Sequence, residues 1–381
     1  MKTIYLDFAA STKCESDIVD IMKVYQFDDY ANPASPHSMG KVARHAINVA
    51  RSKVAKLLQV DPAEILFTSG ATESNNIVVL GAFEYGETAP SNAIFSAIDH
   101  KSVTEAAREL CRRGVDVRYV KIESDGRINK KSLEREIDSN TKLLSLCHVN
   151  SEVGVIQDLD MLSEVAASRE IILHLDVVQS FGKIPLSLKG TRIDCVSFSA
   201  HKIGGPKGIG GLYLNDNARR KLRPLFFGGE VNSLRSGTMP TPLIVGFGAA
   251  CELRSRADLQ KEWRQVAKLR SCFLSVIKSH GARFELNVPA EYTIPHILSL
   301  HFYKVRSEVL ISSLEGVCIA AGSACNSNNM QASYVLKGLG LSDEQANCSI
   351  RVSISPTIKE EEVREAAEII AVKVFKLQSL V

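Results

Sequence analysis

The chain has no run approaching the ~20 apolar residues of a membrane-spanning helix, no block of like charge, no internal repeat and no low-complexity segment. Its 46 Lys and Arg against 43 Asp and Glu leave a formal net charge of +3, spread along the chain. That balance gives no electrostatic case for a nucleic-acid-binding or membrane-surface protein. The nine cysteines are odd in number and include no C-x-x-C pair, so neither a disulfide framework nor a metal site is expected. From Met1 to Asp7 there is a charge where a secretory signal needs its apolar stretch, and the expected compartment is the cytoplasm.

What is present is the material of a large soluble fold. At 381 residues the chain is long enough for two domains, and 45% hydrophobic with 23% charged residues excludes the disordered and coiled-coil classes. Short apolar runs at 65–68, 93–97, 115–121, 143–148, 171–176, 195–199 and 210–214 alternate with helical patterns. This alternation predicts an α/β domain with a mostly parallel sheet flanked by helices. Pro36 behind Ser35 predicts a helix start. After Pro242 one long helical tract to about Lys278 precedes a smaller α/β unit, with strands at 297–302, 317–320 and 349–354 and helices near 307–315, 331–338 and 359–377. The expected division is 13–250 for the large domain, with 1–12 and 251–381 forming the small one.

Three stretches carry chemistry. Ser197 to Lys202, followed by Gly204 to Gly208, ends a strand on two hydroxyls, presents a histidine and a lysine, and enters a turn where backbone can approach a ligand. A lysine so placed suits covalent catalysis by its amine, although Lys202 alone would read as one more surface lysine. Asp176 closes the run Ile171 to Asp176 at the C-terminal edge of a strand, where open α/β sheets bind ligands; taken alone it is a cap or turn residue. Thr68 to Asn76 follows a strand and opens a helix, which suits a phosphate cradle without a Walker signature; taken alone it reads as a helix cap.

These stretches occur in one order with Tyr5-Leu6-Asp7, Asn32-Pro33-Ala34-Ser35, His148-Val149-Asn150, Gln179, Arg235-Ser236-Gly237-Thr238, Gly322-Ser323-Ala324-Cys325 and Ser349-Ile350-Arg351. Over nearly its whole length the chain resembles the IscS/NifS-type cysteine desulfurases, fold-type I pyridoxal-phosphate enzymes of the class V aminotransferase-like group. The polar segment from Cys325 to Tyr334 resembles the long-loop branch.

The resemblance implies that Lys202 is the Schiff-base lysine, Asp176 the partner of the cofactor's pyridinium nitrogen, and His100 the stacking ring that serves in proton transfer. Gln179 would meet the phenolic oxygen and Asn150 the cofactor. The phosphate would be held by Thr72, Ser199 and His201, with Thr238 contributed across a homodimer interface, and Ala71 would also contact the cofactor. Arg351, Asn150 and Asn32 would hold the substrate carboxylate. Cys325 would take sulfur from L-cysteine as a persulfide, leave L-alanine, and pass the sulfur to an acceptor protein.

Other readings on the same fold are a selenocysteine lyase or an aminotransferase. A sulfur-assembly scaffold without catalysis is the third. Ser151 stands where close relatives carry a second Asn, and Glu230 to Ser233 departs from the family's pattern at the rim of the site. Iron–sulfur assembly, tRNA thiolation and DNA phosphorothioation all remain open as destinations of the sulfur.

Overall fold

The computed structural model describes residues 3–86, 89–229, 234–322 and 332–380. Cys325 and the segment Glu230 to Ser233 lie outside the described residues.

Seven strands form the large sheet in the spatial order Ile65–Thr68, Gly210–Leu214, Cys195–Ser199, Ile172–Asp176, Thr141–Cys147, Asn92–Ser96 and Asp116–Val120. The strand Gly210–Leu214 is antiparallel to both its neighbours, and the pairings from Cys195–Ser199 to Asp116–Val120 are parallel. The central strands are buried along their whole length, which is why they read as continuous apolar runs.

One face of this sheet packs Leu144, Leu173, Leu175, Val196 and Phe198 against Val54, Phe181 and Phe247. The other packs Leu143, Ile172 and Cys195 against Ile77, Val78, Val103 and Leu110 of the helices Ala71–Gly81 and Lys101–Arg112. On this second face the parallel register aligns Ser145 with His174 and Cys147 with Asp176. The face is therefore apolar at its start and polar at the C-terminal strand ends.

A second sheet pairs Ser349–Ser353, Ile297–Phe302 and Phe284–Leu286 antiparallel, and Ile4–Tyr5 runs parallel to Val317–Cys318 nearby. Ile4 and Leu6 join Phe273, Leu300, Phe302, Val352 and Ile370 in the core of this unit.

Three local details differ from the sequence reading. The tract after Pro242 is two helices, Thr241–Arg256 and Leu259–Ser279, because Asp258 caps the second one by accepting from the Lys261 amide. The helix expected at Pro36 begins at Ser38 instead, capped by the His37 ring, which accepts from the Gly40 amide. Val335, Leu336, Leu339 and Ala346, in sequence part of the second unit, pack into the core of the large sheet, and Tyr334 donates its hydroxyl to the Asp99 carbonyl.

Candidate active site

A cavity of about 470 Å³ opens at the C-terminal ends of the large sheet's strands. Ala71, Thr72, His100, Asn150, Asp176, Gln179, Ser199, His201, Lys202 and Arg351 all line it. Ten positions spread over 281 residues of chain thus converge on one space. The sequence-predicted residues Asn32 and Thr238 do not line it. Asn32 closes a turn, its side-chain oxygen accepting from the Ala34 amide, and Thr238 is exposed.

Lys202 ends the single turn Ala200–Lys202 directly after a central strand. Its ammonium donates to the carbonyls of Ala9 at 2.5 Å and Ala10 at 2.7 Å. The N-terminal arm therefore reaches the site through backbone oxygens. Gln179 joins the same carbonyl, its Nε2 donating to Ala9 O at 2.9 Å, while its Oε1 accepts from the Lys183 ammonium at 3.0 Å.

Asp176 keeps its two oxygens apart: Oδ1 accepts from the Val178 amide at 3.0 Å and Oδ2 from the Asn75 side chain at 2.9 Å. Behind it, His174 is fully enclosed, with Nδ1 on Ser145 Oγ and Nε2 on Ser197 Oγ. Burial pushes the His174 ring down to about 3, so it stays neutral. One residue before His100, the Asp99 carboxyl is pushed up to about 7 by burial, against two backbone donors, Ser96 and Cys147.

The cradle at Ala71 is built from both sides. Ser199 Oγ accepts from the Ala71 amide at 2.9 Å, which leaves the hydroxyl proton available to the cavity. Gly210 lets the strands close here, since a Cβ on it would stand 2.7 Å from Gly70 Cα. The first turn of Ala71–Gly81 offers amides with no acceptor inside the helix. His201 rests its Nδ1 against Ser11 Oγ at 3.3 Å, and burial, then the charges of Lys202, Lys207 and Lys183, push its ring down to about 4. An anion placed here would find cationic surroundings and free donors.

Arg351 arrives from the second sheet and is 2% exposed. Its Nη2 donates to Asp7 Oδ1 at 2.7 Å and its Nη1 to the Ser151 carbonyl at 2.9 Å. The Ser151 contact uses backbone, so the departure from Asn at this position leaves it intact. Arg351 Nε is buried without a hydrogen-bond partner. Asn150 spends its Oδ1 on the Glu152 and Val153 amides and one Nδ2 hydrogen on the Ile98 carbonyl, which leaves one hydrogen.

The stem that leads to Cys325 ends beside this group. Ala320 and Arg351 exchange backbone hydrogen bonds, and Gly322 has φ +97 with Glu152 where its Cβ would be, 2.7 Å from Oε1. Sequence reasoning missed the Ala9 and Ala10 carbonyls, Asp7, Asn75, Ser102 and Lys183. Asn75 was visible inside the helix-opening motif, whereas a backbone carbonyl leaves no residue-type signal.

The aminotransferase class-V family matches residues 4–365. A cysteine desulfurase IscS of Buchnera aphidicola is 39% identical over 381 residues, covering 99% of this chain and 94% of that protein. A NifS-like protein superimposes with a TM-score of 0.90 at 34% identity, covering 100% of both chains. A structure of SspA in complex with cysteine gives a TM-score of 0.83 at 36% identity, over 93% of this chain and 99% of that one.

Proposed function

The chain belongs to the aminotransferase class-V family, and from that premise and the cavity we infer how it works: it is a pyridoxal-phosphate-dependent cysteine desulfurase. The single observation that carries the mechanism is the convergence of Lys202, Asp176, His100, Gln179 and Arg351 on one cavity. When bound, pyridoxal phosphate supplies an electron sink, and a carboxylate at its ring nitrogen keeps that sink protonated.

The residues fit this group. Asp176 is the buried carboxylate, held by a backbone and a side-chain donor. Lys202 is the amine that would hold the cofactor, and its Nζ would carry a proton during the reaction. Thr72, Ser199 and His201 would hold the phosphate, Gln179 the phenolic oxygen, Ala71 and Asn150 would contact the cofactor, and His100 would stack on the ring and serve in proton transfer. Arg351 holds the substrate carboxylate with Asn150, since its planar fork suits that group. Asn32 is assigned to the same carboxylate on resemblance alone.

Cys325 is the nucleophile in this proposal. Its thiolate attacks the sulfur of L-cysteine, the carbon–sulfur bond breaks, and L-alanine leaves after protonation of carbon. The stem before Cys325 supports this, because Ala320 exchanges backbone hydrogen bonds with Arg351, which lines the cavity. An acceptor protein then takes the persulfide.

The division into 13–250 and 1–12 with 251–381 is supported by the separate core of the second sheet, apart from Val335, Leu336, Leu339 and Ala346, which pack with the large sheet. Homodimer formation with Thr238 crossing between subunits is supported by apolar surface near it. Phe226 bridges to Arg235, and Phe227 is 84% exposed. No helix among the described residues is long and apolar enough to cross a membrane.

The test is Cys325→Ser in the cofactor-loaded protein. The serine variant is expected to show the spectral response to L-cysteine and to release no alanine at a normal rate, and mass spectrometry of the parent to place one added sulfur on the Cys325 peptide. Full alanine production by the variant, or persulfide on another peptide, would assign the nucleophile elsewhere.

A further inference from the structure

Asn75 lies inside the helix Ala71–Gly81 and is completely buried. Asparagine is a poor helix former, and a buried amide costs free energy unless each polar atom is paired. Here its Oδ1 is buried with no hydrogen-bond partner, so the fold tolerates an orphaned carbonyl at this point. What it gains is on the nitrogen. Both Nδ2 hydrogens are used, one on Asp176 Oδ2 at 2.9 Å and one on Ser102 Oγ at 2.8 Å. The amide cannot be reversed, because Oδ1 would then face a carboxylate oxygen, acceptor to acceptor.

The direction of each bond follows. Because His100 Nδ1 accepts from the Ser102 amide, the Ser102 hydroxyl, which accepts from Asn75, donates its own proton to that nitrogen at 2.8 Å. The Ser102 amide also points at His100 Nδ1, at 3.1 Å. Two donors on Nδ1 place the ring's proton on Nε2. Asp176 and His100 belong to different strand-to-helix connections, and one buried amide joins them.

We propose that Asn75 is a positioning residue that sets both groups flanking the cofactor: it ties down one oxygen of Asp176 and, by holding the Ser102 hydroxyl, orients the second donor on the His100 Nδ1 that the Ser102 amide already makes an acceptor. This rests on the functional reading above. Ser102→Ala cuts only the limb to His100, whereas Asn75→Ala cuts both. Asn75→Leu fills the volume and removes the donors, separating packing from positioning.

The test uses full-length protein loaded with pyridoxal phosphate and reads the pH titration of its visible band, together with cofactor dissociation, kcat and KM. Asn75→Ala and Asn75→Leu are expected to move the titration by about one pH unit or more, as the loss of a hydrogen bond to a charged group implies. Both should lower kcat about tenfold or more with less change in KM. Ser102→Ala is expected to leave the band's titration in place and alter the pH profile of kcat. Leu at position 75 that restores the parental titration and kcat would show a packing role only and overturn the proposal. So would Ala variants at both positions that match the parent in titration and pH profile. If an Asn75 variant does not retain cofactor, Ser102→Ala decides alone: an unchanged kcat profile overturns the proposal. A parent that binds cofactor but makes no alanine from L-cysteine would overturn the functional reading instead, and the band titration would still decide the role of Asn75.

Discussion

The two sheets that meet at the cavity supply it in unlike ways. The seven-stranded sheet offers a surface: Cys147, Asp176 and Ser199 end adjacent strands, and Ser145, His174 and Ser197 form a hydrogen-bonded row behind them. The three-stranded sheet offers a single side chain, Arg351, whose ties run to Asp7 and to Ser151, residues 344 and 200 positions away in sequence. The side proposed for the cofactor is thus built mainly from neighbouring strand ends, with Lys202 and Gln179 also tied to the N-terminal arm, and the side proposed for the substrate rests on contacts between distant parts of the chain alone. Rigid elements suit a group that stays, and a joint between elements suits one that enters and leaves.

The largest effect should come from breaking the cofactor side at Lys202, the proposed covalent link. Lys202→Ala is expected to remain folded, to lose the visible band of bound cofactor and to lose about 10³-fold or more of turnover. Absorbance and alanine release check this, and normal turnover would return Lys202 to the surface lysines. Next comes Asp176→Ala, expected to retain some cofactor and to lose about 10²-fold or more of kcat, with Asp176→Glu milder. If both variants turn over like the parent, Asp176 is a cap.

The contrast sharpens on the other side. Arg351→Lys keeps a cation but loses the planar fork, so KM for L-cysteine should rise about tenfold or more while the cofactor band stays where it is. A shifted band with unchanged KM would mean that the two sides are not separable. Asp7→Asn should act in the same direction more weakly, because the Ser151 carbonyl still holds Nη1.

These sides also differ in how far the sequence revealed them. The strand runs were legible because strands buried on both faces are written in apolar residues, and Asp176 and Lys202 stood out at their ends. The break at Ala257 was not, because Asp258 caps a helix with a side chain that also suits an exposed helix face. Asp7 could be seen in a motif, but its pairing with Arg351 depends on the N-terminal arm folding beside the strand Ser349–Ser353, which no local pattern states. The Ala9 and Ala10 carbonyls that hold Lys202 were invisible for a simpler reason: any residue carries a carbonyl.

The smallest effect concerns Lys183, which lies where the two sides touch. It lines a second cavity of about 360 Å³ together with Lys202, Arg254 and His296. Burial, then Lys202, Arg254 and Arg351, push its ammonium down to about 7. Glu262 pairs with Arg254, and the neutral Gln179 amide accepts from Lys183. In the unfolded chain a lysine keeps its proton to about 10.4, so above pH 7 the unfolded state binds more protons than the folded one. The contribution of Lys183 to stability therefore rises with pH from about 7 upward, and the charged form is a burden below that. The window to examine is pH 7 to 8.5. It lies above the range of Asp99, whose raised value makes its own contribution fall between about 4 and 7, and below the titration of ordinary thiols. Lys183→Met, without the proton, should lose the upward slope, by at most about 1.4 kcal/mol per pH unit and less for a partly hydrated ammonium. Denaturant midpoints of parent and variant across that window would show it. Parallel profiles would mean that the ammonium keeps its proton in the folded protein, with Gln179 and water in the cavity holding it charged.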